Sequence, residues 1–387
     1  MESEMKKKFR ILFFGSGDFP VGTLEHLINT GYDIAGVVTS RDKIFFGKKK
    51  VYDIARENGI DCITVNSVRD ESLSEWLDVH PVEIYCVISF KYLPADILKR
   101  ASLCAFNIHA SLLPFLRGAA PINRAILYGF KETGLTAFKL SDKLDCGNIL
   151  ENMKVTIDEN EDFGSLHQKL SSACPEFTQI VIDSIIAGDY KAQIHQPDRI
   201  DLDIMHAPKL RQDDFKYWPY EGANKPDAYN LIMRRIRSVS PVHGFDFPVS
   251  VYDYNVQSSF EDDGYYFERP VKQFIIKVFD AEVRDLTEEE KERIASNSML
   301  GLYQDEDGLY NFMSEVLETD FKTYMYAVLN CRELKRLYFK KVQMPGKKVM
   351  DIADFVRGLQ HFNRKGIEFR LEEPKDWWRY DEDDNLI

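Results

Sequence analysis

Hydrophobic residues in the first half of the chain follow two alternating patterns. Compact apolar runs predict buried strands, and they lie at Ile11–Phe14, Asp33–Thr39, Cys62–Val65, Glu83–Phe90, Leu103–Ile108 and Leu135–Leu140. Other segments carry apolar residues at helical spacing, which predicts helices at Val21–Thr30, Val51–Asn58, Glu71–Val79 and Ser165–Ala187. Strands that are apolar on both faces and alternate with helices form parallel sheets covered on both sides. The pattern therefore predicts an α/β, Rossmann-like, doubly wound and mostly parallel sheet.

The pattern changes in the second half. The runs Val249–Tyr254, Gln273–Val278 and Leu337–Val342 are β-branched or alternate between apolar and polar residues, and no long helix separates them. This predicts a smaller, barrel-like all-β domain. We divide the chain into a first domain at residues 1–205, a linker at 206–226 and a C-terminal domain at 227–387. The acidic stretch 253–320 is interpreted as an insert in the second domain, and the tail 374–387 has no predicted place.

Three polar side chains follow strands of the predicted sheet. Asn107 and His109 lie two positions apart at the end of the run Leu103–Ile108, so they project from the same face of the strand. Asp145 lies in a polar turn after the run Leu135–Leu140 and can reach the same edge, where open α/β sheets bind their ligands. An amide and an imidazole can donate to an oxyanion while a carboxylate orients the imidazole or takes a proton. The three residues are therefore candidates for acyl-transfer catalysis.

The spacing alone leaves a structural interpretation open. His109 could be a buried structural histidine, and Asp145 could be a turn residue. A nicotinamide site has less support, because Pro20 replaces the last glycine of the GxGxxG spacing and Asp33 opens the second strand instead of closing it.

The residues around this site resemble a known family. Asn107–Ile122 reads NIHASLLPFLRGAAPI, and Leu144–Leu150 reads LDCGNIL. Further motifs follow in the same order along the chain, namely ILFFGSGDF at 11–19, GKKK at 47–50, APKL at 207–210 and PGKKVM at 345–350. Together they resemble the 10-formyltetrahydrofolate-dependent formyltransferase family over nearly the whole chain, with weak matching from about Tyr252 to Asn330.

The resemblance implies a formyltransferase fold, followed by an OB-like β-barrel, and a reaction. A formyl group would pass from 10-formyltetrahydrofolate to the amino group of initiator methionyl-tRNA; the alternative acceptor is an amino-sugar nucleotide or another small amine. Asn107 and His109 would stabilise the oxyanion, and Asp145 would orient His109 and help to remove the amine proton. A catalytically silent RNA-binding relative is a third hypothesis, against which the intact catalytic residues argue. No metal is implied.

The resemblance also implies two binding regions. The folate co-substrate would contact Ser111, Leu112, Leu113, Pro114, Phe90, Leu93 and Asp142. The acceptor would contact Arg41, Lys43, Lys48, Lys49, Lys50 and Arg117. Without the resemblance, the basic loop at 41–50 is an ordinary solvated surface loop.

Charge is unevenly distributed along the chain. The net charge is -13, yet residues 253–320 hold 18 acidic and 6 basic side chains, while residues 332–370 hold 11 basic and 4 acidic ones. The acidic average therefore does not exclude a nucleic-acid partner.

Composition narrows the remaining possibilities. A hydrophobic content of 44% excludes a disordered chain, and no apolar run approaches the length of a membrane span. The 6 cysteines include no CxxC pair, and no signal-peptide core is present, so we expect free thiols and a cytoplasmic location. We expect a monomer with no membrane partner.

Overall fold

The computed structural model describes residues 8–40, 46, 49–190, 196, 206–217, 228–253, 255, 259–262, 265–268, 270, 272–288, 292, 303–304, 310–311, 315–319, 325–328, 335–363 and 367–371. Arg41, Lys43 and Lys48 of the basic loop, linker residues 218–226 and the tail 374–387 lie outside these residues. The chain forms two compact units, Met1–Leu210 and Arg211–Ile387.

Strands of the first unit alternate with helices along the chain. The strands are β1 (Arg10–Gly15), β2 (Asp33–Thr39), β3 (Cys62–Thr64), β4 (Val82–Ile88), β5 (Ala101–His109), β6 (Arg117–Gly118), β7 (Glu132–Lys139), β8 (Ile149–Thr156) and β9 (His206–Ala207). The helices are α1 (Val21–Asn29), α2 (Val51–Glu57), α3 (Glu71–Asp78), α4 (Ala95–Leu98), α5 (Pro121–Leu127) and α6 (Phe163–Ala187).

Seven of these strands form one sheet in the order β3-β2-β1-β4-β5-β7-β8. The first five strands of that order pair in parallel, whereas β7 pairs antiparallel with both β5 and β8. Leu12 and Phe14 of β1 pack with Leu73 and Leu77 of α3 on one face of the sheet. Helices α1 and α6 pack against each other, and α6 also contacts β7 and β8. The predicted Rossmann-like, mostly parallel sheet is confirmed.

The antiparallel pairing of β5 and β7 fixes the start of the loop after β5. His109 lies opposite Thr136 in this register. The Thr136 hydroxyl donates to the Ser111 carbonyl at 2.7 Å and accepts from the Leu113 amide at 3.1 Å. One buried side chain of β7 therefore holds both sides of the first turn of this loop.

The second unit is an antiparallel barrel. Its strands are β10 (Phe245–Asp253), β11 (Ser259–Asp262), β12 (Tyr265–Glu268), β13 (Lys272–Asp285), β14 (Tyr303–Gln304), β15 (Tyr310–Asn311), β16 (Glu315–Thr319), β17 (Met325–Val328), β18 (Lys335–Gln343), β19 (Met350–Asp351) and β20 (Ile367–Leu371). Its helices are α7 (Ala228–Val239) and α8 (Ile352–Gly358), with 3-10 turns at Gln212–Phe215 and Gln360–Phe362.

The long strand β13 closes this barrel. The order is β13-β10-β20-β16-β17-β18-β19, and β13 pairs with β18 as well as with β10. The core is built from inward-facing residues such as Phe247, Ile276 and Phe339. The predicted second, β-barrel domain is confirmed.

The acidic stretch 253–320 is not an insert in this barrel. It supplies β13 and β16, which are two of the barrel strands. Its charges obscured the alternation that the structure shows, in which Ile276, Val278 and Ala281 of β13 are buried between more exposed polar residues. The pairing with β18 is irregular between Val278 and Ala281, and there the period of two is interrupted.

An imidazole lies in the interior of the first unit. The ring of His167, on α6, contacts the rings of Phe19, Phe46 and Phe163 at centroid distances of 5.2, 5.0 and 5.6 Å. Its Nε2 is 4.0 Å from Oδ1 of Asp18. Burial lowers the pKa of His167 below 6.5, and the nearby Asp18 carboxylate offsets part of that effect.

Among the residues that the structure describes, no helix is both long and apolar enough to cross a bilayer.

The lowered pKa of His167 makes stability depend on pH. The unfolded chain binds a proton at His167 more readily than the folded chain does. The contribution of the neutral His167 ring to stability is therefore fully present above the unfolded pKa of about 6.5, and it is lost as the pH falls towards the folded pKa. Replacing the ring by His167→Phe removes that titration. The free energy of unfolding, measured with urea between about pH 5 and pH 7.5, should therefore fall more steeply with decreasing pH in the wild type than in His167→Phe, by at most about 1.4 kcal/mol per pH unit. Parallel curves for the two proteins would contradict the assignment.

Candidate active site

Asn107 and His109 end strand β5, as their spacing predicts. Asn107 is half-buried, and His109 is 6% exposed. In the described part of the chain, the Asn107 side-chain amide makes no hydrogen bond, so its donors are available to a ligand. The first two candidates thus lie at the carboxyl end of a parallel strand.

Both ring nitrogens of His109 face oxygen atoms. Nε2 donates to the Leu116 carbonyl at 2.8 Å, and because a carbonyl only accepts, the ring hydrogen is assigned to Nε2. Nδ1 lies 3.9 Å from Oδ2 of Asp145. That separation is too long for a direct hydrogen bond but close enough for electrostatic coupling between two buried groups.

Asp145 reaches His109 by a route that the strand pattern does not predict. Because β7 is antiparallel, it ends beside Phe106 instead of at the end of β5, and the following turn must return to His109. The carboxylate is fixed there by the Gly118 amide, which donates to Oδ2 at 2.9 Å. The convergence of the three predicted residues therefore depends on a hydrogen bond between two loops.

Backbone strain is concentrated in these loops. In the described part of the chain, the non-glycine residues with positive φ are Ser89, Leu116 and Asp145, at 50°, 59° and 50°. Ser89 follows β4, and the other two lie beside His109. Such conformations cost about 1–2 kcal/mol each and persist where the surroundings over-determine them. Their clustering supports the choice of this edge of the sheet as the candidate site.

The residues predicted to contact a folate fall into two groups. Leu93 is buried, Phe90 is partly buried, and both belong to the core cluster next to the ends of β1 and β4. Ser111 and Leu113 are also buried, and the Ser111 hydroxyl donates to the Phe115 carbonyl at 2.7 Å. These residues form the buried support of the candidate site.

The more accessible residues of the predicted folate region are Leu112, Pro114 and Asp142. The Asp142 carbonyl accepts a hydrogen bond of 2.9 Å from the hydroxyl of Tyr92, which is 46% exposed. The loops after β4 and β7 are thereby joined. The local sequence pattern does not predict a role for Tyr92, because nothing in it indicates a partner 50 positions away.

The predicted acceptor-binding residues are placed in different environments. Lys49 and Lys50 are exposed, and Lys49 forms an ion pair of 2.7 Å with Glu57, whose hydrogen bond raises the pKa of the lysine. Arg117 is only 8% exposed, and its guanidinium donates to the side-chain oxygen of Gln196. Arg117 is therefore not on the surface with the lysines.

The thiols near the sheet are not activated nucleophiles. Burial raises the pKa of Cys104 to about 11, and burial also raises the pKa of Cys86 well above its ordinary value. Within the described ranges, no group of three or more His, Cys, Asp or Glu residues could hold a metal ion. Asn107, His109 and Asp145 supply the groups that acid–base and oxyanion chemistry needs.

Comparisons with known proteins agree on the chemistry. The sequence profile of a family described as formyl transferase matches residues 7–182. A methionyl-tRNA formyltransferase of Flavobacterium johnsoniae is 34% identical over 241 residues, which are 61% of this chain and 73% of that protein. The protein of the same name from Parabacteroides distasonis is 26% identical and spans 92% of this chain and 97% of its own length.

A solved structure shares the fold. It is a sugar 3N-formyl transferase determined in the presence of dTDP and 5-N-formyl-THF, with a TM-score of 0.54 at 16% identity. The match covers 88% of this chain and 99% of that one. At this identity the likeness concerns the fold alone.

The close approach of Ala207 on β9 requires a glycine at position 118. Its φ is 127°, and an added Cβ would lie 2.5 Å from the Ala207 carbonyl oxygen. Gly118→Ala should therefore lower stability by about 1–3 kcal/mol from overpacking, in addition to the φ penalty. Gly31→Ala is the matched control, since Gly31 has a φ of 84° with nothing within 4 Å of its added Cβ. Thermal unfolding should show the larger fall for Gly118→Ala, and equal falls would contradict the close approach.

Proposed function

We propose that this chain, which belongs to the formyltransferase family, transfers a formyl group from 10-formyltetrahydrofolate to the amino group of initiator methionyl-tRNA. The observation that carries the proposal is the joint placement of His109 and Asp145, with Nδ1 and Oδ2 at 3.9 Å beside the end of β5. Membership of the family supports formyl transfer as the reaction, and a folate-derived co-substrate is consistent with that reaction.

The reaction makes one C–N bond and breaks another. The amino group of the acceptor attacks the formyl carbon, and the formyl oxygen becomes an oxyanion in the tetrahedral intermediate. Collapse of the intermediate breaks the bond to N10 of the folate, which takes up a proton, so the products are the N-formylated acceptor and tetrahydrofolate. The amine loses one proton in the same sequence.

The residues of this site match those needs. The Asn107 amide can donate to the oxyanion. A protonated His109 keeps one N–H on the Leu116 carbonyl, and its Nδ1–H faces the edge that it shares with Asp145. With His109 as a donor, the proton of the reacting amine passes to the Asp145 carboxylate.

The folate is assigned to the region between the loops after β4 and β7. The Tyr92–Asp142 bond joins these loops, and buried Leu93 and Leu113 provide apolar surface beneath them. Exposed main-chain groups near Asp142 supply polar contacts for a pterin ring. Ser111, Leu112 and Pro114 are assigned to the side of the site next to His109.

The choice of acceptor rests on the relatives and on charge. Relatives that this chain resembles over up to 92% of its length are named for methionyl-tRNA. In the first unit, exposed Lys49 and Lys50 can contact phosphates. The barrel carries further exposed basic residues, namely Lys340, Lys341, Lys347, Lys348 and Arg357. The described cysteines of the first unit are free, which fits a reducing cytoplasmic location.

Removing an oxyanion donor should abolish most turnover. Asn107→Ala and His109→Ala should each lower kcat by about 100- to 1000-fold, because such donors stabilise the transition state by about 2.7–4 kcal/mol. Turnover is measured as transfer of labelled formyl from 10-formyltetrahydrofolate to charged initiator tRNA, with circular dichroism to verify folding. His26→Ala, on α1, is the control: this partly buried histidine pairs with Gln179 of α6 outside the candidate site, so the variant should keep wild-type activity. Near-normal transfer in either site variant would remove the assignment.

The acceptor can be identified from the salt dependence of transfer. If Lys50 contacts a phosphate, Lys50→Ala should weaken tRNA binding and reduce the slope of log affinity against log salt by about 0.7–0.9. Lys99→Ala, an exposed lysine before the start of β5, is the control and should leave the slope unchanged. Transfer to amino-sugar nucleotides but not to tRNA would exclude the proposed acceptor while leaving the chemistry intact.

A further inference from the structure

Arg117 and Gln196 form a buried pair beside the site. The two side chains are 8% and 2% exposed. Nε and Nη2 of Arg117 both donate to the Gln196 side-chain oxygen, at 3.2 and 2.8 Å. A guanidinium is costly to bury and is retained in an interior only when hydrogen bonds satisfy it. A buried charge at this position therefore has a structural task.

The other end of Gln196 reaches the second loop of the site. Its side-chain N–H donates to the Gly147 carbonyl at 2.7 Å. A glutamine carries an acceptor and a donor on one planar group, so it can receive a hydrogen bond from Arg117 and give one to Gly147 at the same time. Gln196 thus bridges a side chain of the loop after β5 and the main chain of the loop after β7.

The bridge is attached next to the groups that hold the catalytic candidates. Arg117 stands between Leu116, whose carbonyl accepts from His109, and Gly118, whose amide donates to Asp145. Gly147 lies two positions after Asp145 on the opposite loop. The Gly118–Asp145 hydrogen bond and the Arg117–Gln196–Gly147 bridge therefore connect the same two loops at adjacent positions.

Two connections define a distance better than one does. Leu116 and Asp145 both have positive φ, and such backbone relaxes unless its surroundings hold it. A single hydrogen bond from Gly118 would let the Asp145 turn pivot about that bond. The second connection through Gln196 removes the pivot and holds the carboxylate at its distance from the imidazole.

We propose that Arg117 and Gln196 are positioning residues for formyl transfer, which set the placement of Asp145 relative to His109 without touching the substrate. The inference rests on the proposed function and replaces the expectation that Arg117 binds the acceptor. A displacement of about 1 Å at a catalytic group can cost about 100-fold in rate, so the bridge should act on kcat and leave binding unchanged.

The test separates the two ends of the bridge. Gln196→Met keeps the length of the side chain and removes both hydrogen bonds, while Gln196→Glu keeps an acceptor for Arg117 and removes the donor to Gly147. Both should lower kcat by about 10- to 100-fold with KM for tRNA and folate within about 3-fold of wild type. Gln179→Met, which removes a different side-chain bond of the first unit, to His26, is the control and should change neither.

A double variant tests whether the pair acts as one unit. Arg117→Met combined with Gln196→Met should be no slower than Gln196→Met alone, since each change breaks the same bridge. Additive losses would show independent roles and contradict the bridge. Unchanged kcat in folded Gln196 variants would overturn the proposal, as would a raised KM for tRNA with unchanged kcat in Arg117→Met.

A measurement without substrate separates this inference from the proposed function. The Gly118 amide donates to Asp145, so its hydrogen exchange reports the bond that the bridge supports. Gln196→Met should speed that exchange at least about 10-fold, whichever acceptor the enzyme uses. If the wild-type protein transfers formyl to no acceptor but Gly118 still exchanges faster in Gln196→Met, the proposed function is overturned and the proposed bridge stands. Unchanged exchange would overturn the bridge.

Discussion

The hydrogen bond from the Gly118 amide to the Asp145 carboxylate holds together two loops that the sheet alone would leave apart. Parallel strands deliver their carboxyl ends to one edge, and β5 places Asn107 and His109 there by that rule. β7 breaks the rule because it is antiparallel, and its following turn starts beside Phe106. The position of Asp145 is therefore a product of tertiary bonding between loops, and the chemistry of the site depends on it.

The main-chain conformations on both loops follow from this constraint. Leu116 turns its carbonyl to His109 and Asp145 turns its carboxylate to Gly118, and each does so with a positive φ. The cost of about 1–2 kcal/mol per residue is comparable with the net contribution of the hydrogen bonds that the strained backbone makes possible. The buried Thr136 hydroxyl supports the same region from β7, since it bonds to both Ser111 and Leu113. Strain and support are thus concentrated in one small part of the first unit.

Much of this organisation was predictable from residue patterns, and the exceptions have a common cause. The period of two places Asn107 and His109 on one face, and apolar runs between helices identify the five parallel strands. Arg117 was expected to contact the acceptor together with the lysines. A local pattern does not reveal that Gln196, 79 positions away, accepts hydrogen bonds from the Arg117 guanidinium. Tyr92 was missed for the same reason. Long-range side-chain partners depend on how loops close, which periodicity and composition do not encode.

The interpretation of residues 253–320 as an insert failed for a different reason. Net charge describes what faces the solvent, whereas strand formation depends on which alternate positions face the core. Acidic residues therefore concealed β13, in which the buried positions Ile276, Val278 and Ala281 lose the period of two where the pairing with β18 is irregular. The site prediction itself was strongest where a family resemblance supplied the three-residue combination that spacing alone left open.

Closure of the barrel by β13 also bears on how the chain behaves at high concentration. An open sheet edge presents unpaired N–H and C=O groups to strands of other molecules, and a closed barrel has no such edge. Here β13 pairs on both sides, and the added strand β19 has only two residues. At the far edge of the first sheet, β3 has three residues. Among the described strands, closure thus removes the edges of the barrel as a template for intermolecular sheet growth, whereas the first sheet keeps one longer edge in β8, which has eight residues.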